Sequence, residues 1–528
     1  MQINVLLKGY KSYSWKRVGR TSLIGNLKIE DENRLITAAE KADPEPCILN
    51  SLTSVDSFFA MVIETEDKVL LVSDHLSSFP LFYSVQTDRG DIVISDEAEA
   101  CSISKLANKV GMADYRVASV TMGSDTLWSD VMEVESGSIV RINKADGEVK
   151  CSRYWIPIRS FAQHSSTLSE VDYLAESVFG DIVRRYANKP IVVPITSGID
   201  SRTIAVMLKR GGHEKVHTFS IGKRTDEDVK VGFEVAKALG LPWTYVDLTG
   251  EMWESYYKSD AYKEALLYAI GGGRLNHVLM AHAIKILDEA SLIPEEAIFM
   301  PGHAGSIMGG ELKRIPFYEK GLNRHDVAVI ACAAESRIAT LSKKEVVRIS
   351  RAYEQRMSQG KEHLSQNECF AEIDTIHTQD YIFKFIVNDV RNYELFGYRW
   401  HLPLMEKRWC EFWLNASFND AYGKALITSY VNQESKPFGL HFNRKPMKHG
   451  FLAKALWLHP VAKGHARVLK RRIAIGSSER PVGGYFDAMS DVEYKRMIRR
   501  WQGVTDVMDA NFVEESIQEL KTRSLLVL

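Results

Sequence analysis

The stretch Val192-Val193-Pro194-Ile195-Thr196-Ser197-Gly198-Ile199-Asp200-Ser201-Arg202 holds the densest set of groups suited to chemistry in the chain. A β-branched apolar run leads into it and an amphipathic run leaves it, so it reads as a loop between a strand and a helix. Backbone N–H groups at a helix N-terminus, with the helix dipole behind them, favour phosphate oxygens. Thr196, Ser197 and Ser201 add hydroxyl donors. Asp200 belongs beside phosphate only if it holds the loop or contributes to a Mg2+ site. A plain turn and N-cap uses the same residue types, so both readings stand at this level. The GxxxxGK(S/T) spacing of a Walker A loop is absent.

Other residues are weaker candidates. Glu227 and Asp228 suit a metal or a ribose, or simply an exposed helix start. Gly271-Gly272-Gly273-Arg274 reads as a substrate loop or a plain flexible connection. His282 and His303 have no metal-ligand spacing around them, but His303 lies inside Pro301-Gly302-His303-Ala304-Gly305, where a phosphate contact is conceivable.

The surrounding elements are what must position these groups. Lys189 to Thr196, Lys215 to Ile221 and Trp243 to Leu248 read as strands. Leu168 to Tyr186, Ser201 to Gly211 and Asp228 to Leu239 have helical spacing. Alternation of this kind predicts a parallel α/β sheet with right-handed crossovers. From about residue 320 the pattern is mostly helical, with a basic segment at His465 to Arg472. Before residue 155 the texture differs. Phe58 to Glu64 and Lys68 to Ser73 flank the turn Thr65-Glu66-Asp67, and Asp91 to Ser95 and Gly137 to Ile142 repeat the style, which predicts an antiparallel sheet domain. The polar stretch Arg159 to Leu168 reads as a linker, giving units 1–158 and 165–528.

With 528 residues the chain has room for about three domains. Sixty-seven Lys and Arg against 68 Asp and Glu leave a net charge of −1, so no electrostatic case exists for wrapping nucleic acid. Six scattered cysteines without a CxxC pair argue against a zinc site or a disulfide framework and fit a reducing cytosol. The N-terminus lacks the order of a signal peptide, and no run approaches the roughly 20 apolar residues of a membrane span, so a cytoplasmic protein is expected.

Taken in order, several segments resemble the asparagine synthetase family. Thr196-Ser197-Gly198-Ile199-Asp200-Ser201 is similar to its SGGxDS pyrophosphatase loop. Phe58 to Ile63, Val72 to Leu76 and Pro80 to Tyr83 look like the end of its glutaminase-like domain. Thr218 to Gly222, with Glu227-Asp228 and Val235 to Gly240, resembles its second nucleotide-binding segment, and Pro301 to Gly305 its glycine-rich loop. Leu402-Pro403-Leu404-Met405-Glu406 resembles "PFLD", and Arg444 to Phe451 the late Arg/Lys motif. The match runs from about residue 55 to about 455.

The resemblance implies an inactive Ntn-type glutaminase-like β-sandwich with helices, followed by an adenine nucleotide α-hydrolase-like synthetase domain with a helical C-terminal part. It implies ATP and Mg2+, an adenylated carboxylate, and attack by ammonia or an amine. ATP would then meet Thr196, Ser197, Gly198, Ile199, Asp200, Ser201, Ser220, Ile221, Gly222, Gly302 and His303, with Asp200 on the metal. Lys445 and Lys448 are both candidates for the lysine that stabilises the intermediate, and Arg399 offers a second cation. The partners expected are small-molecule carboxylates and amines, without nucleic acid, and a homodimer is the assembly considered.

This sequence also departs from the family pattern. It begins Met1-Gln2-Ile3 in place of the nucleophilic Cys, with no cysteine before Cys47, so no glutamine hydrolysis is expected. Gly-Gly-Asp-Glu reads Ala304-Gly305-Ser306-Ile307, Arg399 replaces an acidic residue, and Ser197 replaces a glycine. Relatives without the Cys include β-lactam synthetases, lasso-peptide cyclases and surface-polysaccharide proteins, and Phe396 to Leu404 is worded most like the last. The alternative reading is a nucleotide-binding relative that lost turnover.

Overall fold

A computed structural model describes residues 1–248, 250–303, 305–358, 360–443, 451–476 and 507–528. It is a mixed α/β structure with both antiparallel and parallel sheets.

The N-terminal part follows from period-two patterning. Strand Phe58–Glu64 sends Phe58, Ala60 and Val62 into the main core and Phe59, Met61 and Ile63 into a second, smaller one. Apolar residues on both faces require a layer on each side. Helices Ile29–Ala39 and Pro44–Leu52 cover one face, contributing Leu35, Ala39, Ile48 and Leu52. On the main-core side lies a four-stranded sheet that contains Phe82–Gln86 and Asp91–Ser95. The larger sheet is antiparallel throughout its six strands. The smaller one corrects the purely antiparallel expectation, because Gln2–Leu6 pairs parallel to Asp91–Ser95.

The second part has a five-stranded sheet that is parallel at every pairing. Its order across the sheet is Trp243–Val246, Val216–Ile221, Ile191–Pro194, Ile298–Phe299, Arg399–Trp400. Chain order reverses between Ile191–Pro194 and Ile298–Phe299. The carboxyl ends of two such strands leave a crevice between their loops, the usual ligand position of open parallel sheets.

The expected linker is not a loose connection. Arg159 is buried, with its guanidinium on the Asp374 carboxylate, the Trp413 carbonyl at 2.8 Å and the Ile307 carbonyl at 2.6 Å. Nor is the glycine run a plain flexible connection. Gly271, Gly272 and Gly273 all have positive φ, and a Cβ on Gly272 or Gly273 would strike Phe82 or Thr121 at 2.4 or 2.5 Å. Thr121 and Leu127 donate backbone hydrogen bonds to Gly273 and Gly272, so the run is a seam between the two parts. Arg274 passes through it, fully buried, to the Glu133 carboxylate and the Ser77 hydroxyl.

The C-terminal helix Val507–Thr522 returns to the first part, where Tyr115 Oη meets Ser516 Oγ at 2.9 Å. Tyr115→Phe is expected to cost about 1 kcal/mol, because Ser516 keeps the Val513 carbonyl as an acceptor. A lowered urea midpoint with an unchanged slope would show it, and an unchanged midpoint would remove this contact from the docking energy. No helix among the described residues is long and apolar enough to cross a membrane.

Candidate active site

The loop after Ile191–Pro194 leads into helix Ile199–Arg210, whose N-cap is Gly198. The helix interior is apolar where it meets the sheet, with Ile204, Ala205, Val206 and Leu208 fully buried. That packing fixes the loop in the crevice. Within the loop Thr196 N donates to Ser201 Oγ at 3.1 Å and Gly198 N to Thr196 Oγ1 at 3.1 Å. Asp228, at the start of helix Glu227–Leu239, accepts from Ser197 N at 2.9 Å and from the Ser197 hydroxyl. So Asp228 orders the loop, while Glu227 lines the adjoining cavity.

The loop after Ile298–Phe299 closes on the first one. A Cβ on Gly302 would lie 2.6 Å from Ser201 N, and one on Gly305 would lie 2.3 Å from Asp200 Cγ. Only glycine permits this approach of backbone to carboxylate. Asp200, Ser201, Gly302 and Gly305 are therefore brought together from elements about a hundred residues apart in sequence.

A cavity of about 580 Å³ opens from Asp200, within the ~300–1,000 Å³ usual for small-molecule sites. Its cations are Arg202, Lys313, Arg314 and Lys424, and its acids are Asp200, Glu227, Glu234 and Glu311. Lys424 Nζ sits 2.5 and 2.6 Å from the two oxygens of Asp200. Gly423 and Lys424 both adopt left-handed backbone, with φ of 62° at each, and Lys424 is the N-cap of helix Ala425–Ser435. A non-glycine residue held there stores strain that clusters at functional positions. Burial pushes Arg202 down to about 10 against the pull of Asp200 and Asp228. Its guanidinium stacks over Phe442 at 4.0 Å. Burial would raise Glu311, but the fields of His377, Arg314, Arg337 and Lys424 outweigh it and hold the carboxyl below its ordinary range.

The remaining expected residues fall differently. Ser220 is the penultimate residue of strand Val216–Ile221, and its buried hydroxyl donates to the Ile195 carbonyl at 2.7 Å. Gly222 follows with φ of 139°, and Asp226 crowds the place of its missing Cβ at 2.7 Å. His303 faces away from the loop toward Asp389, with Nε2 at 3.8 Å from Oδ2. Arg399 is not brought to the site. It pairs with Ile298 at the amino end of the sheet, opposite the loops, and its guanidinium lies over Tyr13 at 5.1 Å. Lys445 and Lys448 lie outside the described residues. His282 stacks on Tyr256 at 4.2 Å, and burial pushes it down to about 4, so it is a neutral core residue. Lys313, Arg314 and Lys424 are cavity cations that the motifs did not single out, and Arg202 closes the loop motif without a role assigned to it there.

Comparison with known proteins agrees with the loop. Residues 175–262 match the family model described as asparagine synthase. A carboxyethyl-arginine beta-lactam-synthase from Streptomyces clavuligerus is 29% identical over 185 residues, covering 34% of this chain and 34% of that protein. The match thus spans about a third of that relative's length. A glutamine phosphoribosylpyrophosphate amidotransferase from B. subtilis aligns at 16% identity over 44% of this chain and 72% of its own, with a TM-score of 0.19. A structure of the allosteric regulatory enzyme of purine biosynthesis aligns at 15% over 44% and 71%, with a TM-score of 0.18. Those two likenesses are too slight to carry an argument. The resemblance to the asparagine synthetase family, with a β-lactam synthase among the relatives, is shown by the first two.

Proposed function

We propose that this chain is an ATP-dependent ligase that adenylates a carboxylate and passes the acyl group to ammonia or an amine. The observation that carries the reading is the closure of the two crevice loops on Asp200, with Lys424 on its carboxylate and a cation-lined cavity beyond. A substrate carboxylate oxygen would attack the α-phosphorus of ATP as the bond to the β-phosphate breaks. Charge then develops on the departing pyrophosphate. The loop amides at the helix N-terminus, Arg202 and Lys424 are the donors placed to meet it.

Thr196 to Ser201 is the proposed phosphate cradle, with the adenine side toward Ser220 to Gly222. Among the described residues no three His, Cys, Asp or Glu side chains form a metal cage. A Mg2+ that arrives with its nucleotide needs only one or two carboxylates plus phosphate oxygens, and Asp200 and Glu311 line the same cavity. Such an ion would neutralise phosphate charge.

The reading includes the absence of glutaminase activity. Of the six cysteines, Cys101, Cys332, Cys369 and Cys410 are buried, and burial raises their thiols, Cys369 to about 11 and Cys332 to about 12; Cys151 is exposed with its thiol also raised, and Cys47 is half-buried. Thiols held that high are poor nucleophiles at neutral pH. A cytoplasmic place and a uronic acid or amino-acid-derived carboxylate, in polysaccharide or natural-product synthesis, complete the proposal.

ATP–pyrophosphate exchange over a panel of uronic acids and amino-acid-derived carboxylates tests it. Exchange that depends on one carboxylate is expected. Nucleotide binding without exchange for any carboxylate would favour the non-catalytic reading, for which Ser306 in place of an acidic residue speaks.

A further inference from the structure

His377, Tyr381, Phe385, Asp389 and Tyr393 recur every four residues along one continuous helical run. The run is α-helical over Gln366–His377, widens to a π-helix over Thr378–Ile386, tightens over Val387–Val390 and ends as an α-turn over Arg391–Glu394. A nine-residue π-helix is rare, and such segments gather at functional sites. The widened turn stacks the rings of His377 and Tyr381 at 5.1 Å, and those of Tyr381 and Phe385 at 4.9 Å.

His277 stands at the end of this ladder, edge-on to Phe385 at 4.7 Å. Its Nδ1 lies 2.6 Å from Asp389 Oδ2, and its backbone N donates to Oδ1 at 2.7 Å. A carboxylate on Nδ1 fixes the tautomer and leaves Nε2 to take a proton. The His277 side chain is half-exposed. On the other side of Asp389 is His303, whose Nδ1 is buried without a hydrogen-bond partner among the described residues. The Tyr393 hydroxyl, on the ring stacked 6.2 Å from His303, is also buried and unpartnered. Two such atoms together call for a ligand or water to satisfy them. The loop Gly302–Gly305 carries His303 at one end and presses on Asp200 at the other, so this cluster adjoins the proposed adenylation site.

We propose that His277 is the general base of the amide-forming step, with Asp389 as its positioning residue and His303 and Tyr393 facing the acceptor. The inference rests on the ligase reading. In the step, the acceptor nitrogen attacks the acyl carbon. His277 Nε2 first takes one proton from the ammonium, which frees the lone pair that attacks. The C–N bond then forms as the C–O bond to AMP breaks, AMP leaves with that electron pair, and the nitrogen's second surplus proton passes to the departing phosphate or to water.

The groups that face His277 are Asp389, His303, Asp509 and Arg337. Lost hydration and Arg337 lower its proton affinity, but the charge and hydrogen bond of Asp389, with Asp509, outweigh them and raise it. The base works uncharged, so amide formation rises with pH through a value above the ordinary histidine pKa. Asp389→Asn should move that limb to lower pH.

The test uses the full chain, Mg·ATP and the carboxylate that gives exchange in the panel, with ammonium or hydroxylamine as acceptor. Hydroxylamine is already uncharged at neutral pH and bypasses the base. His277→Gln should lower amide formation from ammonium about 100-fold, while exchange and hydroxamate formation stay near the unmutated rate. Full-rate amide formation by His277→Gln would overturn the assignment. So would a parallel fall in hydroxamate and exchange, or a pH limb unmoved in Asp389→Asn. An unmutated protein inert in exchange with every carboxylate would instead overturn the ligase reading, and this inference with it.

Discussion

Asp200→Ala is expected to lower ATP–pyrophosphate exchange about a thousandfold, the upper range for losing one preorganised electrostatic group. Three contacts converge on this carboxylate. It sits in the first turn of helix Ile199–Arg210, where a negative charge meets the positive end of the dipole. Lys424 grips both oxygens, and Gly305 lies against Cγ. Without it, Lys424 is left among Lys313, Arg314 and Arg202 with one acidic neighbour fewer. The proposed Mg2+ also loses its nearest carboxylate to the loop. The variant should therefore need at least about tenfold more Mg2+ for half-maximal exchange. Asp200→Asn keeps the shape and removes the charge, so it should follow Asp200→Ala if charge is what matters. If both variants exchange at the unmutated rate with an unchanged Mg2+ requirement, Asp200 does not hold the metal.

What the sequence made legible and what it hid have physical reasons. Strands Phe58–Glu64, Lys68–Ser73 and Asp91–Ser95 fall on the expected residues, because each is a β-branched run bounded by turn residues. The alternation from Leu168 to Val246 was equally plain, since strand and helix periods differ and several alternate. Ile298–Phe299 and Arg399–Trp400 are two residues each, too short for any period to register. The parallel pairing of Gln2–Leu6 with Asp91–Ser95 joins segments almost ninety residues apart, and nothing local announces it. Helix Ile29–Ala39 opens with three acidic residues and shows only a narrow apolar stripe.

The site divides the same way. The Thr196 to Ser201 loop could be read because its chemistry is contiguous. Arg399 departs from the expectation because order along the chain does not say at which end of a parallel sheet a residue emerges, and the pairing with Ile298 puts it at the amino end. The row from His377 to Tyr393 was visible in principle as five polar or aromatic residues at a spacing of four. That spacing stacks its rings only because the helix widens, and its partner His277 lies more than a hundred residues earlier.

Lys424 is the clearest loss, and it supports the second large prediction. It lies 224 residues from Asp200, and its local sign is only a Gly423-Lys424 step before a helix. Its left-handed backbone is the costly part, since a lysine gains nothing there unless the side chain is needed where it points. It points at the carboxylate beside the phosphate cradle. A compact ammonium at that place can leave Asp200 for the pyrophosphate oxygens as charge builds on them, whereas a methyl thioether cannot. Lys424→Met should therefore lower exchange and amide formation alike by about 100- to 1,000-fold, or roughly 3–4 kcal/mol of transition-state stabilisation. Nucleotide affinity should change far less, because the loop amides and Arg202 remain. Lys424→Arg keeps a charge but spreads it over a planar fork, and should recover only part of the rate. Lys424→Gly relieves the backbone and removes the charge. If the rate loss came from strain, this variant would retain turnover, and if it came from the ammonium, it would fall with Lys424→Met. Full turnover in Lys424→Met would show that the contact with Asp200 only shapes the loop.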